Sequence, residues 1–529
     1  MAMKTTGAIA LLTVFCLLFL ACQNPLSAPG GGTVPTPTPT PGGEDTDGNT
    51  SGTVVQQGSI MFNSAGGWLE YGFAQWDSLS GAGGYSVHYR LSTQPDSSYV
   101  RADAELVRGT CVDIPGLLGN RTYFLKVVPV ISGTEDPAQS SVVSVDIQAH
   151  DRSGFAFDLR SPMSTAGTSG GYNPDGTVNP AATILYITDA NKDTVQMDVT
   201  KNGVTATYTG LYNICAARSS AKSTSPMIIR FIGTVTPPTG LDALKQLQIK
   251  DNSNVTYEGI GTDAELNGWG MDFQRDHNFE IRNLSFRDQP EDQISIQSDC
   301  LNFWIHNNDH NLGKGLPGGE ADKIYGDGNI DVKSGTSWVT VSYNHYIGCK
   351  KTGGIGFGGD TNDLMMTYHH NFYDVCGTRM PRISYCSVHV YNTYFKEAQG
   401  YVIALANACD GFIQNNYFEN CNRPVITASQ GHDIDSDGES ILSNNPAGTG
   451  KMSGNYMDAF TSDPVRFDPA VDITLGPTAA GAIYDNFDLN FGANYPCNLD
   501  TAETAKTRVE QYAGRINSSA GNVTPLPQT

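Results

Sequence analysis

Five charged residues stand at spacings that would let them act on one substrate. Asp327 and Asp331 are four residues apart, Asp331 lies 20 residues before Lys351, and Asp292 and Arg379 flank this stretch. Carboxylates held side by side repel one another unless a proton or a cation lies between them. A group of them is also the donor set that a hard, oxygen-seeking ion prefers, so Asp292, Asp327 and Asp331 read as a calcium site, with Ca2+ as cofactor. Lys351 and Arg379 would bring positive charge to the same place, which suits an anionic substrate. Taken alone, Asp327 before Gly328 reads as a turn residue; its partner four residues on, in a stretch read as strand, puts both acids on one face.

A repeat supplies the frame that would hold these groups together. Asn344-His-Tyr346, Asn371-Phe-Tyr373, Asn392-Thr-Tyr394 and Asn415-Asn-Tyr417 share an N-x-Y pattern, each after a β-rich run, with the Asn 27, 21 and 23 residues apart. Asn283 and Asn307 read as earlier members and Asn455 as a later one. Short strands at this period, without helix periodicity, indicate a solenoid. The fold read from it is all-β: a right-handed parallel β-helix, its Asn side chains stacked as a ladder at the ~4.8 Å spacing of neighbouring strands. Asp292 lies nine residues after Asn283, Lys351 seven after Asn344 and Arg379 eight after Asn371. These three therefore fall at nearly one position in separate coils. His369 and His370, just before Asn371, read as structural.

The runs GDGNIDVKSGTSWVTVSYNHYIGCKK and TYHHNFYDVCGTRMPRISYCSVHVYNTYF, with WIHNND and NVTYEGIGTDAELNGWG, are similar to family 1 polysaccharide lyases, the pectate lyases. The resemblance spans about Gly154 to Met457 and implies calcium-dependent β-elimination of polygalacturonate. It implies calcium ligation by Asp292, Asp327 and Asp331, a substrate carboxylate on Lys351, and Arg379 as the base that removes the C5 proton. A free guanidinium loses its proton only above ~12, so that role implies an alkaline optimum. Two positions depart from the family pattern. Pro290 stands where some members carry a further calcium-binding Asp, with Glu291 beside it. Ser384 stands where many carry a second substrate-binding Arg, and Arg382, on the same strand face, is the candidate replacement.

The rest of the chain reads as delivery and support. Residues 1–22 form a signal of lipoprotein type, with Cys22 as the lipidated residue and a secreted or outer-surface placement. Residues 23–57 are a Pro/Thr/Gly-rich linker. Residues 58–149 read as a fibronectin type III-like β-sandwich, with Tyr123 as its tyrosine corner, acting as a spacer, with a carbohydrate-binding module as the alternative. Residues 150–529 form the β-helix, with the tail after about 460 packed along it. The net charge of −22 excludes nucleic acid as a partner. Pectic polysaccharide is the expected partner, with a lipid anchor to membrane, and the chain reads as a monomer. Nine cysteines follow the signal without metal-site spacing, and several read as buried apolar residues. Three readings compete: a pectin lyase on methylated pectin, which would not need the acid pair; an inactive pectin-binding surface protein; and a glycoside hydrolase, which would need paired carboxylates without Lys351 and Arg379.

Overall fold

The computed structural model describes residues 50–162, 170–356 and 364–516, apart from 408, 422, 428–431, 435–439, 443–447, 458–473 and 476–494. Cys22, the signal and most of the linker lie outside the described residues. The chain's first described elements are strands, not linker: Thr50–Ser51 pairs with Phe62–Trp68, and Thr53–Gln56 pairs with Ser141–Ile147. The β-branched run Thr53-Val54-Val55 favours this extended edge, so the sandwich starts before residue 58.

Two antiparallel sheets make the sandwich. One runs Phe62–Trp68, Tyr71–Trp76, Cys111–Pro115; the other runs Ser141–Ile147, Arg121–Ile131, Ala82–Leu91, Val100–Arg101. Period-two alternation turns Tyr123, Leu125 and Val127 inward, against Trp76, Val112 and Val145. The Tyr123 hydroxyl accepts a hydrogen bond from the Leu118 amide at 3.1 Å. The same apolar cluster takes in Ile232 and Ile260 from the following domain. Around that contact Arg108 bridges Asp113 at 2.6 Å and Asp263 at 3.0 Å, and the Gly261 amide donates to the Tyr71 hydroxyl at 2.8 Å. The sandwich is thus seated on its neighbour.

That neighbour is a parallel β-helix. Among the described residues, eight parallel strands stack in one sheet: Gln246–Lys250, Gly270–Gln274, Ile294–Gln297, Ile330–Val332, Gly353–Ile355, Arg382–Ser384, Ile403–Ala406 and Val425–Thr427. Their register lines up Ile249, Phe273, Ile296, Val332, Ile355, Ile383 and Leu405 in one inward column of the core. The other walls belong to a second, larger sheet, inside which His310, Tyr346, Tyr373, Phe395 and Phe418 stack ring on ring. The nine described cysteines are all free; eight are buried and Cys497 is half-buried.

The Asn ladder exists, but its register differs from the N-x-Y reading. Asn344 Oδ1 accepts from the Asn308 amide at 3.1 Å, and Asn371 Oδ1 accepts from the Asn344 amide at 3.0 Å. Further on, Asn416 Oδ1 accepts from the Thr393 amide and Asn455 Oδ1 from the Asn416 amide, both at 2.9 Å. The rungs are therefore 308, 344, 371, 416 and 455. Asn283, Asn307, Asn392 and Asn415 sit one residue earlier, at corners with φ of 51°, 50°, 48° and 51°. Asn tolerates this left-handed backbone better than most residues, so two different demands both select Asn. A slip of one residue also exchanges the strand faces: Tyr346 and Tyr373 point inward, whereas Tyr394 aligns with Phe372 on the outside.

The corner asparagines hold the C-terminal segment. Asn392 and Asn415 each donate to the Asp500 carbonyl, Asn307 donates to the Tyr512 carbonyl, and Asn283 accepts from the Ile516 amide, at 2.8–2.9 Å. The helix Ala502–Tyr512 between these points is capped by the Thr501 side chain. The described part of the tail therefore runs along the solenoid, as expected.

Candidate active site

The eight-stranded sheet sets the register of the charged groups. Ile294, Ile330 and Gly353 are paired in three successive coils. Two residues before them stand Asp292, Gly328 and Lys351. The Gln293 amide donates to the Gly328 carbonyl and the Asn329 amide to the Lys351 carbonyl, which carries the alignment back to that position. In the next coil Lys351 bridges Thr378, beside Arg379, whose own φ is 63°. Asp331 faces outward between Ile330 and Val332, both of which fill the core. The sequence register thus brings Asp292, Asp331, Lys351 and Arg379 to one region.

Asp327 arrives there by another route. It lies in a bend ahead of the strand Ile330–Val332 rather than within it, so strand alternation is not what aligns it with Asp331. The turn is set by Gly326, at φ 76°, and by Gly328. Gly328 leaves no room for a side chain: a Cβ there would lie 2.5 Å from Asp331 Oδ1 and 3.1 Å from Asp292 Oδ1.

The two buried carboxylates accept few hydrogen bonds from the backbone. Asp292 Oδ1 accepts from the Gly328 amide and Asp331 Oδ1 from the Gly354 amide, each at 3.0 Å. Burial pushes the Asp292 carboxyl well above the usual range; Asp331 and Asp327 push it further, against Lys333. Burial likewise raises Asp331, with Asp327 adding to the effect and Lys333 and Arg379 opposing it. Such a pair takes up either protons or a cation. Its two buried oxygen donors, with Asp327 adjacent, have the chemistry of a site for a hard divalent ion.

Lysines line the same region. Lys333 Nζ is 3.4 Å from Asp292 Oδ2, and Asp292 and Asp331 raise its pKa against the effect of burial. Lys351 Nζ lies 3.0 Å from Asp322 and 3.5 Å from Asp327, while Lys323 Nζ lies 3.0 Å from Asp327 and 2.8 Å from Glu291. Lys333, Asp322 and Lys323 were not singled out from the sequence. Lys333 follows Asp331 by two residues, so alternation alone puts it on the acid face. Asp322 and Lys323 lie in a short 3-10 turn that no periodicity marks. Glu291, beside Pro290, is engaged by Lys323 and not by the acid pair.

Arg382 and Ser384 share the outward face of their strand, since Ile383 between them is core. Arg382 is paired across to Gly354, which is paired to Asp331, so a residue without a side chain separates the cation from the acid. Ser384 is buried, and its hydroxyl accepts from the Asn407 amide group at 3.3 Å. His369 ends a strand of the larger sheet, away from the acid sheet, and His370 follows it in a bend, at φ 52°.

The pectate lyase family profile matches residues 186–518, which contain every one of these groups. The chain belongs to the pectate lyase family. Among its relatives is the pectate trisaccharide-lyase of Bacillus licheniformis, 30% identical over 233 residues, or 43% of this chain and 66% of that protein. Pectate lyase 3 of Pectobacterium carotovorum subsp. carotovorum is 27% identical over 260 residues, 48% of this chain and 66% of the relative. The alignments thus span 66% of the length of these two relatives. Solved structures similar to the chain include a pectate lyase from Bacillus sp. N165 in complex with trigalacturonate, with 23% identity, a TM-score of 0.47, and coverage of 69% of this chain and 98% of that one.

Proposed function

We propose that the protein is a calcium-dependent pectate lyase that cleaves α-1,4-polygalacturonate by β-elimination to unsaturated oligogalacturonates. The observation that carries this reading is the buried Asp292–Asp331 pair, held above the usual carboxylate range beside Lys333, Lys351 and Arg379. Asp292, Asp327 and Asp331 would hold calcium. When bound, the ion would balance these acids and draw charge from a substrate carboxylate.

The side chains divide the remaining work. Lys351, exchanging its bond to Asp322 for one to a substrate carboxylate, would fix the sugar ring and reduce the charge that opposes removal of the C5 proton. Arg379 would accept that proton. The C5 electron pair would then form the C4–C5 double bond as the C4–O4 bond breaks, and the departing oxygen would take a proton from water. Positive charge from Lys351 in the adjoining coil favours loss of the Arg379 proton, as does alkaline medium. Arg382 stands two residues before Ser384 on the same face and would bind the chain further along. The acid pair favours polygalacturonate over methylated pectin, because an uncharged substrate gives it nothing to bridge.

An absorbance assay of the unsaturated product decides this reading. Product should form from polygalacturonate, stop with a chelator, and resume when calcium is returned. Faster product formation from methylated pectin, or reducing ends without absorbance, would overturn it.

Two further readings concern the flanking regions. The sandwich's sheet order and the Tyr123–Leu118 hydrogen bond support a fibronectin type III-like domain. The apolar run before Cys22 supports lipid attachment at that residue and an outer-surface location, which labelled-lipid incorporation lost in Cys22→Ser would test.

A further inference from the structure

A second cluster of ligating groups lies outside the acid sheet. Among the described residues, Asp151, His369 and His370 present ligand atoms that all lie within 4.8 Å of one another. The two imidazoles face each other through Nδ1, 3.0 Å apart, and both rings are buried. Two nitrogens on one zinc ion stand roughly 3.3 Å apart, given Zn–N bonds of about 2.05 Å and tetrahedral angles.

The surrounding contacts orient these donors. His370 Nε2 lies 3.2 Å from Asp500 Oδ2, so a neutral His370 that donates there presents Nδ1 as a lone pair. With a neutral His370 in that form and no ion, His369 would carry its proton at Nδ1 to satisfy it. That would leave His369 Nε2 as a buried lone pair, and this atom makes no hydrogen bond of normal geometry. The neighbouring Ser153 backbone favours a proton on the ring. An ion between the two Nδ1 atoms resolves the conflict, because His369 then keeps its proton at Nε2.

Asp151 completes the set. Its Oδ1 accepts from Ser153 Oγ at 2.6 Å and from Asn498 Nδ2 at 2.9 Å, while Oδ2 is 3.5 Å from the Tyr343 hydroxyl. Asp151 and Tyr343 also line a cavity of about 360 Å³ bounded by the helix Ala502–Tyr512.

We infer that Asp151, His369 and His370 form a structural site for a borderline divalent ion of the zinc class, with Asp500 behind His370. Nitrogen donors with one carboxylate suit zinc better than calcium. The ion would join three stretches of chain: the junction after the sandwich through Asp151, a solenoid coil through the histidines, and the C-terminal segment through Asp500 and Asn498.

Zinc titrated calorimetrically into the full, chelator-treated chain in excess calcium tests this site. One zinc per chain should bind, in the wild type and in Asp331→Asn alike, and it should raise the melting temperature. His369→Gln with His370→Gln should abolish that uptake, and Asp500→Asn should weaken it by about 10–100-fold. Cobalt on the wild-type chain gives a readout that needs no variant, namely the intense visible absorption of a four-coordinate nitrogen/oxygen site. Absence of zinc uptake, absence of that absorption, uptake unchanged in the double histidine variant, or loss of uptake in Asp331→Asn would each overturn the proposal.

Discussion

Two regions of the solenoid bury charge, and they do so with opposite results. On one wall Glu258 accepts from Arg230 Nε at 2.8 Å, from Arg282 Nε at 2.9 Å and from the Tyr172 hydroxyl at 2.6 Å. Glu280 there meets Arg282 at 3.3 Å and His306 at 3.0 Å. Burial would raise both glutamates, but the arginines reverse the sign and hold both below the usual range. On the acid sheet Asp292 and Asp331 are equally desolvated, yet both are raised, because the cations present do not offset burial and mutual repulsion. Balanced charges make a fixed scaffold, whereas an unbalanced set stores affinity for something that has yet to bind. Burial is common to both regions, so stoichiometry of charge is what separates structure from site.

The contrast can be broken experimentally, and the largest effect should be catalytic. Arg379→Lys should lower kcat on polygalacturonate by about 10²–10⁴-fold with little change in the thermal midpoint, as expected on removing a general base. A variant of near wild-type rate would remove Arg379 from that role. Next in size, Arg282→Ala should cost about 3–5 kcal/mol in denaturant unfolding, because it strands two buried glutamates. An unchanged midpoint would mean that the network is not structural.

The pH response should separate the regions more finely. Asp292 and Asp331 have folded pKa values above their unfolded ones, so without divalent ions the folded chain keeps protons that the unfolded chain has lost. Stability should therefore fall as pH rises from the ordinary carboxylate range toward these raised values. Asp331→Asn should flatten that fall while abolishing activity, and calcium should flatten it in the wild type. Glu258 and Glu280 act in the reverse sense: their contribution is present above the ordinary glutamate pKa and is lost as pH drops through the lowered folded values. A chelator-treated chain that grows steadily more stable from pH 4 upward would contradict the assignment of the acid pair. The smallest expected effect is that of Ser384→Ala, which removes the bond from Asn407 and should cost about 0.5–1.5 kcal/mol.

The acid-sheet half of this contrast could be read from the sequence, and the misreadings have physical causes. Asp292, Lys351 and Arg379 were brought together by counting from asparagines, although only Asn344 and Asn371 of those counted from are ladder rungs. The count from Asn283 survived because it was one residue out, within the tolerance of a turn. Asp327 was assigned to the right place for the wrong reason, since a glycine-set bend and not a strand delivers it. Lys333 was accessible through alternation. The docking of the sandwich had a fainter signal: Met227–Val235 carries apolar residues on both faces, interrupted by Arg230, with Ile229 and Phe231 turned to the solenoid core and Ile232 to the sandwich. Strands buried on both sides cover two partners, and sequence alone does not name the second.

The tail that crosses the coils has a mechanical consequence. A stack of repeats holds each winding only through its neighbours, so it can fray from either end. Here one strand of chain is tied at Asn415 and Asn392, again at Asn307, and finally at Asn283, so windings far apart share a single strap. Peeling off a late coil would mean releasing knots on early ones, which turns a row of weakly linked steps into one cooperative transition.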